Sequence, residues 1–428
     1  MNHVMAVIMA GGKGTRISSV RADIPKPMIE VEGKNILEYQ MECLKENGIT
    51  EVVLVIGHLG HIIQEYFGDG ANIGMPIRYI VEETPLGTAG ALYYLNQTTK
   101  DVLLLNGDII FDVDLKRMLR FHREKNADIT LFTHPNNHPY DSTLVLREED
   151  GQVIGCKKNS GDILHNCVNA GIHILSARVV QKIDELKPRN LDKEIIAEYA
   201  ANGRVYSYAS TEYVHDMGTP DRYKEVCEAV KNGMVHAKNL SKKQKAIFLD
   251  RDGTINIYKG FLTKPEEMEL EPRAAEAIKK INASGYLAIV VTNQPVIARG
   301  DCTKEQLEEI HGRMEYLLGK EGAYVDAIFY CPHHPDKGFA GEVAEYKIDC
   351  DCRKPKPGLL LQAEKIYNID LAASYMIGDS QRDVEAGKRA GCKAYLLGEV
   401  GCEPREADGV YLNLLEAVEQ IIKQEAEQ

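Results

Sequence analysis

The sequence predicts an α/β protein with two doubly wound domains. Short runs of Val, Ile and Leu, each about as long as a buried strand, alternate with longer segments of mixed polarity in both halves of the chain. The length of 428 residues exceeds that of one ordinary domain. An apolar fraction of 44% and a charged fraction of 27% are typical of globular proteins. We therefore expect two sheets with helices on both faces.

In the N-terminal half, three apolar runs predict buried parallel strands. They are AVIMA at residues 6–10, VVLVIG at 52–57 and VLLLNGD at 102–108. Ile36–Asn47 has the apolar spacing of a helix. After residue 245 the strand pattern resumes with KAIFLD, YLAIVVTN, AIFYC and YMIGD, and an amphipathic helix is predicted over Leu414–Gln428.

The stretch between the halves is basic and polar and contains glycine, as linkers do. We therefore predict domains at residues 1–234 and 245–428, joined by a linker at 235–244. The two halves share no obvious repeat, so they are expected to be unlike domains.

Charge and hydropathy argue against two classes of protein, those that bind nucleic acids and those that span a membrane. A formal net charge of −13 disfavours a nucleic-acid partner, whereas small anionic substrates can still meet local cations. No apolar run approaches the length of a membrane span, and the N-terminus does not have the pattern of a signal peptide. We therefore expect a cytoplasmic protein without disulfides, although it has ten cysteines. The sequence leaves a homo-oligomer open.

Glycines and cations follow the first predicted strand. Ala10–Arg16 reads AGGKGTR, in which backbone N–H groups can crowd around an anion. The segment fits neither the P-loop nor the GxGxxG pattern, and a tight turn would also explain it. Lys26 follows between two prolines, which present it from a stiff loop. Asp108, after a strand, and the distant Asp216 could share one Mg²⁺ ion.

The motifs AGGKGTR, PKPM, PLGTAGA, NGD, NAG and DMGTPDRY resemble the sugar-1-phosphate nucleotidyltransferase family over residues 4–225. The resemblance implies a Rossmann-like nucleotide-diphospho-sugar transferase fold, a nucleoside triphosphate and a sugar phosphate as substrates, and Mg²⁺ as the cofactor. The implied triphosphate residues are Gly11, Gly12, Gly14, Thr15 and Arg16, with Arg16 assisting pyrophosphate departure and Lys26 holding the α-phosphate and the incoming sugar phosphate. The implied residues for base, ribose and sugar are Glu83, Gly87, Thr88, Lys158, Asn169 and Gly171, and the implied metal ligands are Asp108 and Asp216.

One position departs from this family, which usually has Glu-Lys where the chain has Lys157-Lys158. Lys157 therefore occupies the position where the resemblance implies a glutamate contact to a sugar hydroxyl. PLGTAGAL with its preceding glutamates resembles the guanylyltransferase branch, because a carboxylate can accept from N1 and N2 of guanine. GTP is the expected nucleotide.

In the C-terminal half, Asp250 and Asp252 follow an apolar strand in the pattern DRDGT. Paired carboxylates of this kind can act as nucleophile and as general acid/base, although an Asx turn would also explain them. Thr292-Asn293 ends a second strand, and the cations Arg353 and Lys354 come later in the chain. An acidic pair, Asp379 and Asp383, follows a further strand.

This order of motifs resembles the haloacid dehalogenase (HAD) phosphatase superfamily over residues 245–400. The resemblance implies that Asp250 forms an aspartyl-phosphate and that Asp252 protonates the leaving alkoxide and then activates water. It further implies that Thr292, Asn293, Arg353 and Lys354 bind the phosphoryl group, and that Asp250, Asp252, Asp379 and Asp383 hold Mg²⁺ directly or support its shell.

Three cysteines and a histidine form a separate group. Cys331-x-His333 and Cys350-x-Cys352 supply the ligands of a closed tetrahedral zinc site, for which we expect a structural role. Together with CPHHP and CDCRKPKPG, this site resembles the heptose-bisphosphate phosphatase branch, whose near relative is histidinol-phosphatase. Pro295 departs from that branch and removes one amide that could contact phosphate.

A fusion of the two enzymes favours consecutive reactions. The branch resemblances suggest removal of the 7-phosphate of D-glycero-D-manno-heptose 1,7-bisphosphate and then formation of GDP-heptose from the 1-phosphate, with the α anomer implied. The alternatives are mannose-1-phosphate guanylylation joined to histidinol-phosphate hydrolysis, or one domain acting only as a sugar-nucleotide-binding regulatory module. Lys157 and Pro295 support the module, and four retained carboxylates oppose it, namely Asp108, Asp216, Asp250 and Asp252.

Overall fold

The computed structural model describes residues 3–12, 23–159, 164–338, 340–398 and 406–427. The chain forms two compact units. Unit 1 comprises Met1–His134, Val145–Lys157 and Asn169–Asn239, and unit 2 comprises Pro135–Leu144, Lys158–Val168 and Leu240–Gln428. Two short segments of the N-terminal half, Pro135–Leu144 and Lys158–Val168, therefore belong to unit 2. The predicted domain at residues 1–234 contains both of them.

The N-terminal half contains a nine-stranded sheet among its described residues. The strands of this half are β1 (Val4–Met9), β2 (Glu30–Val31), β3 (Lys34–Asn35), β4 (Val52–Ile56), β5 (Ile77–Val81), β6 (Asp101–Asn106), β7 (Ile109–Phe111), β8 (Ile129–His134), β9 (Thr143–Arg147), β10 (Val153–Lys158), β11 (Val168–Leu175), β12 (Val205–Ala209) and β13 (Val214–Asp216). The sheet order is β10-β9-β11-β6-β1-β4-β5, with β8 pairing with β11 and β12.

The helices of this half connect these strands. They are α1 (Ile36–Glu46), α2 (Gly60–Phe67), α3 (Leu115–Glu124), α4 (Ala177–Val180), a π-helix at Leu191–Ile196, α5 (Ala197–Ala201), α6 (Pro220–Lys231) and α7 (Met234–Ala237). Helix α1 begins at a capping box, in which Asn35 and Glu38 satisfy each other's free backbone N–H groups. Leu37 and Met41 of α1 belong to the same core cluster as Ala6 and Ile8 of β1.

Unit 2 contains a six-stranded parallel sheet of order β16-β15-β14-β17-β18-β19. Its strands are β14 (Lys245–Leu249), β15 (Tyr286–Asn293), β16 (Ala327–Cys331), β17 (Tyr375–Gly378), β18 (Lys393–Leu397) and β19 (Gly409–Tyr411). Its helices are α8 (Ala274–Asn282), α9 (Val296–Arg299), α10 (Lys304–Lys320), α11 (Gly358–Tyr367), α12 (Gln381–Ala390) and α13 (Leu414–Ala426).

Strand β14 shows why both faces of the second sheet are covered. Ile247 and Leu249 point to the core cluster that contains residues of α8, α10 and α13. Ala246 and Phe248 point to the cluster that contains residues of α11 and α12. Side chains alternate along a strand, so a strand of continuous apolar residues is buried on both sides. The predicted doubly wound architecture is confirmed.

The first sheet differs from the expectation of parallel strands, and part of the predicted linker at 235–244 is helical. Strand β11 runs antiparallel to β6, so the first sheet is mixed. The predicted linker begins with part of helix α7, and its Val235 and Leu240 are buried. Among the described residues, no helix combines the length and the apolar character that crossing a membrane requires.

Candidate functional sites

Three carboxylates meet at the carboxyl ends of β14 and β17 in unit 2. Asp250 follows β14, and Asp379 and Asp383 follow β17. One oxygen from each lies within 4.8 Å of the others. The Nζ atom of Lys354 lies 2.8 Å from Asp250 Oδ1 and 2.5 Å from Asp383 Oδ1, and its side chain is only 2% exposed. Residues from three separate segments of the chain thus form one charged cluster.

The cluster carries an excess of negative charge, because a single lysine faces three carboxylates. Burial raises the pKa of Asp250, with Lys354 opposing the shift and Asp383 adding to it. Burial and the neighbouring Asp383 raise the pKa of Asp379 to about 6. A divalent cation would relieve this repulsion, and oxygen donors are the ligands that Mg²⁺ prefers. The residues therefore fit a Mg²⁺ site.

Gly253 allows the Asp379 carboxylate to approach the turn that follows β14. Its φ angle is +82°, and a Cβ atom there would lie 2.1 Å from Asp379 Oδ2. Only glycine combines that backbone conformation with that close approach. The glycine of the DRDGT motif therefore makes room for a carboxylate from another strand.

The two predicted phosphoryl ligands at the end of β15 have partners within the protein. Thr292 Oγ1 accepts from Gln294 Nε2 at 2.9 Å. Asn293 Oδ1 accepts from the backbone N–H of Lys354 at 3.0 Å, and Asn293 Nδ2 donates to the Lys354 carbonyl at 3.0 Å. The Asn293 amide thus fixes the backbone that carries Lys354.

Cys331, His333, Cys350 and Cys352 form the second cluster of potential metal ligands among the described residues. Their sulfurs lie 3.2 to 3.5 Å apart, and His333 Nδ1 lies 3.3 Å from Cys352 Sγ and 3.7 Å from Cys331 Sγ. Zn–S bonds of about 2.3 Å place the sulfurs of a tetrahedral site about 3.8 Å apart. The observed spacing is slightly tighter, and the donor set fits zinc.

The cluster of Cys331, His333, Cys350 and Cys352 is joined to the cations that follow it. Arg353 Nη1 donates to the backbone carbonyl of His333 at 3.2 Å. Because Arg353 and Lys354 follow Cys352 directly, the cluster anchors the start of the segment that delivers Lys354 to the three carboxylates.

In unit 1, Lys26 and Asp108 form an ion pair with a distance of 2.5 Å between Lys26 Nζ and Asp108 Oδ2. Strand β13 pairs with β7 so that Asp216 lies opposite Ile109, and the backbone N–H of Met217 donates to the Asp108 carbonyl. The fold therefore brings the segments of the two predicted metal ligands together.

Asp216 forms an ion pair with Arg222. Arg222 Nη1 lies 3.0 and 2.8 Å from the two Asp216 carboxylate oxygens, and the Gly218 amide donates to Oδ1 at 2.8 Å. Burial raises the pKa of Asp216, but Arg222 and the Gly218 amide outweigh it, so the pKa lies below its usual value. Asp216 is therefore an ionised carboxylate at neutral pH.

Some of the residues predicted to bind the base and the sugar contact the protein's own backbone, whereas others are exposed. Gly87 has a φ angle of +74°, and a Cβ atom there would lie 2.4 Å from the Arg189 carbonyl, so this glycine is needed by the protein's own backbone. Thr88 Oγ1 accepts from the Leu191 amide at 2.8 Å. Glu83 is exposed.

On the sugar side, Asn169 Nδ2 donates to Asp192 at 3.0 Å, and Asn169 Oδ1 accepts from the Gly171 amide at 3.1 Å. Lys158 is exposed at the end of β10. The phosphate loop is described only in part. Gly11 and Gly12 follow β1, and among the described residues no atom is found within 4 Å of a Cβ built at Gly12. Gly14, Thr15 and Arg16 lie outside the described residues.

Comparison with known proteins identifies both halves. The family model described as nucleotidyl transferase matches residues 5–233, and the one described as HAD-hydrolase-like matches residues 351–408. The D-glycero-beta-D-manno-heptose-1,7-bisphosphate 7-phosphatase of Pasteurella multocida is 45% identical over 39% of this chain and 87% of its own length. The chain is a nucleotidyl transferase fused to a HAD-type phosphatase.

Two further similarities extend this comparison. The phosphatase of the same name from Escherichia coli K12 is 39% identical over 44% of this chain and 97% of its own length. The crystal structure of HddC from Yersinia pseudotuberculosis matches this chain with a sequence identity of 24% and a TM-score of 0.47. The match covers 53% of this chain and 99% of the HddC chain.

Sequence reasoning missed a carboxylate in the nucleotidyl transferase half. Glu82, not the neighbouring Glu83, is half-buried and approaches Gly11, where a Cβ atom would lie 2.9 Å from Glu82 Oε2. Glu82 Oε1 is buried without a hydrogen-bond partner among the described residues. Burial raises the pKa of Glu82. The adjacent glutamates gave no signal to distinguish the inward one from the exposed one.

Proposed function

We propose that this nucleotidyl transferase–phosphatase makes a GDP-activated heptose in two consecutive reactions. The phosphatase half removes the 7-phosphate of D-glycero-D-manno-heptose 1,7-bisphosphate. The nucleotidyl transferase half then transfers GMP from GTP to the heptose 1-phosphate and releases pyrophosphate. The shared name of the curated relatives supports the first substrate. The observation that carries the phosphatase reaction is the placement of Asp250 against Lys354.

In the phosphatase reaction, Asp250 attacks phosphorus and the bond to the C7 oxygen breaks. Lys354 offsets the negative charge that gathers on the phosphoryl oxygens. Asp252 gives its proton to the departing alkoxide, then removes a proton from the water that hydrolyses the aspartyl-phosphate. The products are inorganic phosphate and heptose 1-phosphate, with Asp250 and Asp252 restored.

Asp250 and Asp379, with the Asp252 carbonyl, would hold Mg²⁺, and Asp383 supports that shell. Bound Mg²⁺ supplies positive charge to the phosphoryl oxygens. Asp383 also orders its own surroundings, since its Oδ2 accepts from both the Ser380 amide at 3.1 Å and the Ser380 hydroxyl at 2.6 Å. For the cysteine and histidine cluster we propose zinc in a structural role, because four protein donors leave no position open for water.

In the transferase reaction, an oxygen of the sugar 1-phosphate attacks the α-phosphorus of GTP, and pyrophosphate leaves. Lys26 holds the α-phosphate and the incoming phosphate, and Arg16 assists the departure of pyrophosphate. Asp108 and Asp216 would hold Mg²⁺, which neutralises phosphate charge when bound. Lys26 already lies at 2.5 Å from Asp108, so the cation and the carboxylate are in place together. Positioning and charge neutralisation account for catalysis of such transfers.

For guanine selection we propose Glu82 in addition to Glu83. The buried Glu82 Oε1 has an unused acceptor, and a carboxylate can accept from both N1 and N2 of guanine. Leaving such a buried acceptor unpaired costs about 1–3 kcal/mol, so a base that supplies a donor gains affinity.

For the heptose 1-phosphate we propose the α anomer. The curated relatives are named for the β anomer, whereas the GDP route implies the α anomer. We also propose that the enzyme works in the cytoplasm, where GTP is available.

A substrate panel on the intact chain tests the function. The phosphatase is offered both anomers of heptose 1,7-bisphosphate and histidinol phosphate, and the transferase is offered heptose 1-phosphate and mannose 1-phosphate with each of the four nucleoside triphosphates. We expect phosphate release from a heptose bisphosphate and pyrophosphate release with GTP and heptose 1-phosphate. Equal use of mannose 1-phosphate contradicts the heptose assignment, and an inactive half with intact carboxylates indicates a binding module.

A further inference from the structure

The carboxylate of Asp252 is surrounded by side-chain donors. Arg251 Nε donates to its Oδ1 at 3.2 Å, and Arg251 Nη2 donates to its Oδ2 at 2.8 Å. Gln294 Nε2 donates to Oδ2 at 2.9 Å, and Asn256 Nδ2 donates to Oδ1 at 3.1 Å. Both oxygens are therefore held from more than one direction, which leaves the carboxylate little freedom to rotate.

Arg251 and Gln294 also bind each other. Arg251 Nη2 donates to Gln294 Oε1 at 3.1 Å, so Arg251, Gln294 and Asp252 form a closed ring of hydrogen bonds. Gln294 further donates to Thr292 Oγ1 at 2.9 Å, which ties the ring to the end of β15. The ring therefore connects the Asp252 carboxylate to two strand ends, β14 and β15.

The burial of Arg251 shows that this ring is a built feature. The Arg251 side chain is 0% exposed, and that of Gln294 is 2% exposed. A buried guanidinium is costly unless a carboxylate pairs with it and hydrogen bonds satisfy it. Here Nε and Nη2 of Arg251 pair with the Asp252 carboxylate and with Gln294, while Nη1 has no hydrogen-bond partner among the described residues.

We propose that Arg251 and Gln294 are positioning residues for Asp252 in the phosphatase reaction. The proposal rests on the proposed role of Asp252 as the group that exchanges a proton with the alkoxide and then with water. Both transfers need the carboxyl oxygen at hydrogen-bond distance from the reacting oxygen, and a rotated carboxylate fails in both. Arg251 acts through Asp252, whereas Gln294 contacts both the Asp252 carboxylate and the Thr292 hydroxyl.

The test compares Arg251→Met, Arg251→Lys and Gln294→Met with the wild type in phosphate release from heptose 1,7-bisphosphate. We expect Arg251→Met to lower kcat roughly 10²-fold, the lower end of what a general acid/base contributes. KM should stay within about twofold, since Asp250 and Lys354 are untouched. Arg251→Lys should recover part of kcat. Arg273→Met, at an arginine that pairs with Glu276 and is 57% exposed, is the matched control and should behave as the wild type.

The deciding measurement places Arg251→Met in the Asp252→Asn background under single-turnover conditions. If Arg251 acts through Asp252, it lowers the rate of Asp252→Asn no further. An additional loss as large as in the wild-type background shows a merely structural role and overturns the proposal. Should Arg251→Met not fold, Arg251→Lys, which keeps a buried positive charge beside the carboxylate, is measured in the same two backgrounds with the same expectation.

Crystal structures separate this proposal from the proposed function. If the wild type releases no phosphate from the bisphosphate, the substrate assignment fails, but the positioning role is still decided by the structures of the wild type and Gln294→Met with Mg²⁺. We expect the Asp252 carboxylate to rotate in the variant. An Asp252 that keeps its position overturns the positioning role.

Discussion

Asn293 holds the backbone of Lys354 from both sides: its Oδ1 accepts from the Lys354 amide and its Nδ2 donates to the Lys354 carbonyl, each at 3.0 Å. These bonds join the end of β15 to the residue whose Nζ contacts Asp250 and Asp383. The position of the buried cation therefore depends on an amide side chain from another strand.

Asn293→Asp should lower phosphate release about 10- to 100-fold, because a carboxylate cannot donate to the Lys354 carbonyl and a shifted Lys354 stabilises the transition state less. Pyrophosphate release by the transferase half should not change. Asn282→Asp is the matched control, since Asn282 makes the same paired bonds with the backbone of Tyr324 at 2.8 and 3.0 Å. Equal losses of activity in the folded variants would show that the Asn293 pair has no special role.

Gly253→Ala should abolish most phosphatase activity. The new Cβ would lie 2.1 Å from Asp379 Oδ2 at a φ of +82°, so either the DRDGT turn or Asp379 must move. Gly260→Ala tests the backbone effect alone, because Gly260 has a φ of +83° but no atom within 4 Å of its Cβ. The measurement is kcat for phosphate release with thermal unfolding of both variants. Comparable kcat values for the two would contradict a steric role for Gly253.

Cys350→Ser should remove bound zinc and lower the melting temperature of the phosphatase half by on the order of 10 °C, as a loss of ~3–5 kcal/mol would do. Phosphate release should fall with it, because Arg353 and Lys354 follow the cluster directly. Metal analysis and calorimetry check this prediction. Cys156→Ser, at an exposed cysteine, should retain the metal and the stability. A zinc-free Cys350→Ser enzyme of wild-type stability would rule out a structural zinc site.

Much of the fold could be predicted because buried strands are continuous apolar runs. The runs ending at Asp108 and Asp250 correspond to β6 and β14, and both carboxylates lie at carboxyl strand ends as expected. Direction is harder to predict, because an antiparallel strand such as β11 has the same apolar pattern when both faces are buried.

Site residues that belong to a motif with characteristic spacing could be predicted from the sequence. The contacts that hold those residues in place could not be predicted, because their partners lie far away in the chain. The spacing of Cys331, His333, Cys350 and Cys352 was sufficient to predict one cluster, which the structure brings together. Nothing local shows that the Asn293 amide binds the Lys354 backbone, since 61 residues separate them. The same is true of Arg251, whose burial depends on Gln294 and Asp252 together.

The central claim is that one chain carries two separable sites that act in sequence. Asp250→Asn and Asp108→Asn are each incubated with heptose 1,7-bisphosphate, GTP and Mg²⁺, and GDP-heptose is measured by mass spectrometry. We predict no product from either variant alone, product from a mixture of the two, and rescue of Asp250→Asn, but not of Asp108→Asn, by added heptose 1-phosphate. If Asp250→Asn forms GDP-heptose from the bisphosphate without added heptose 1-phosphate, the central claim is contradicted. A wild type that forms no GDP-heptose would contradict it as well.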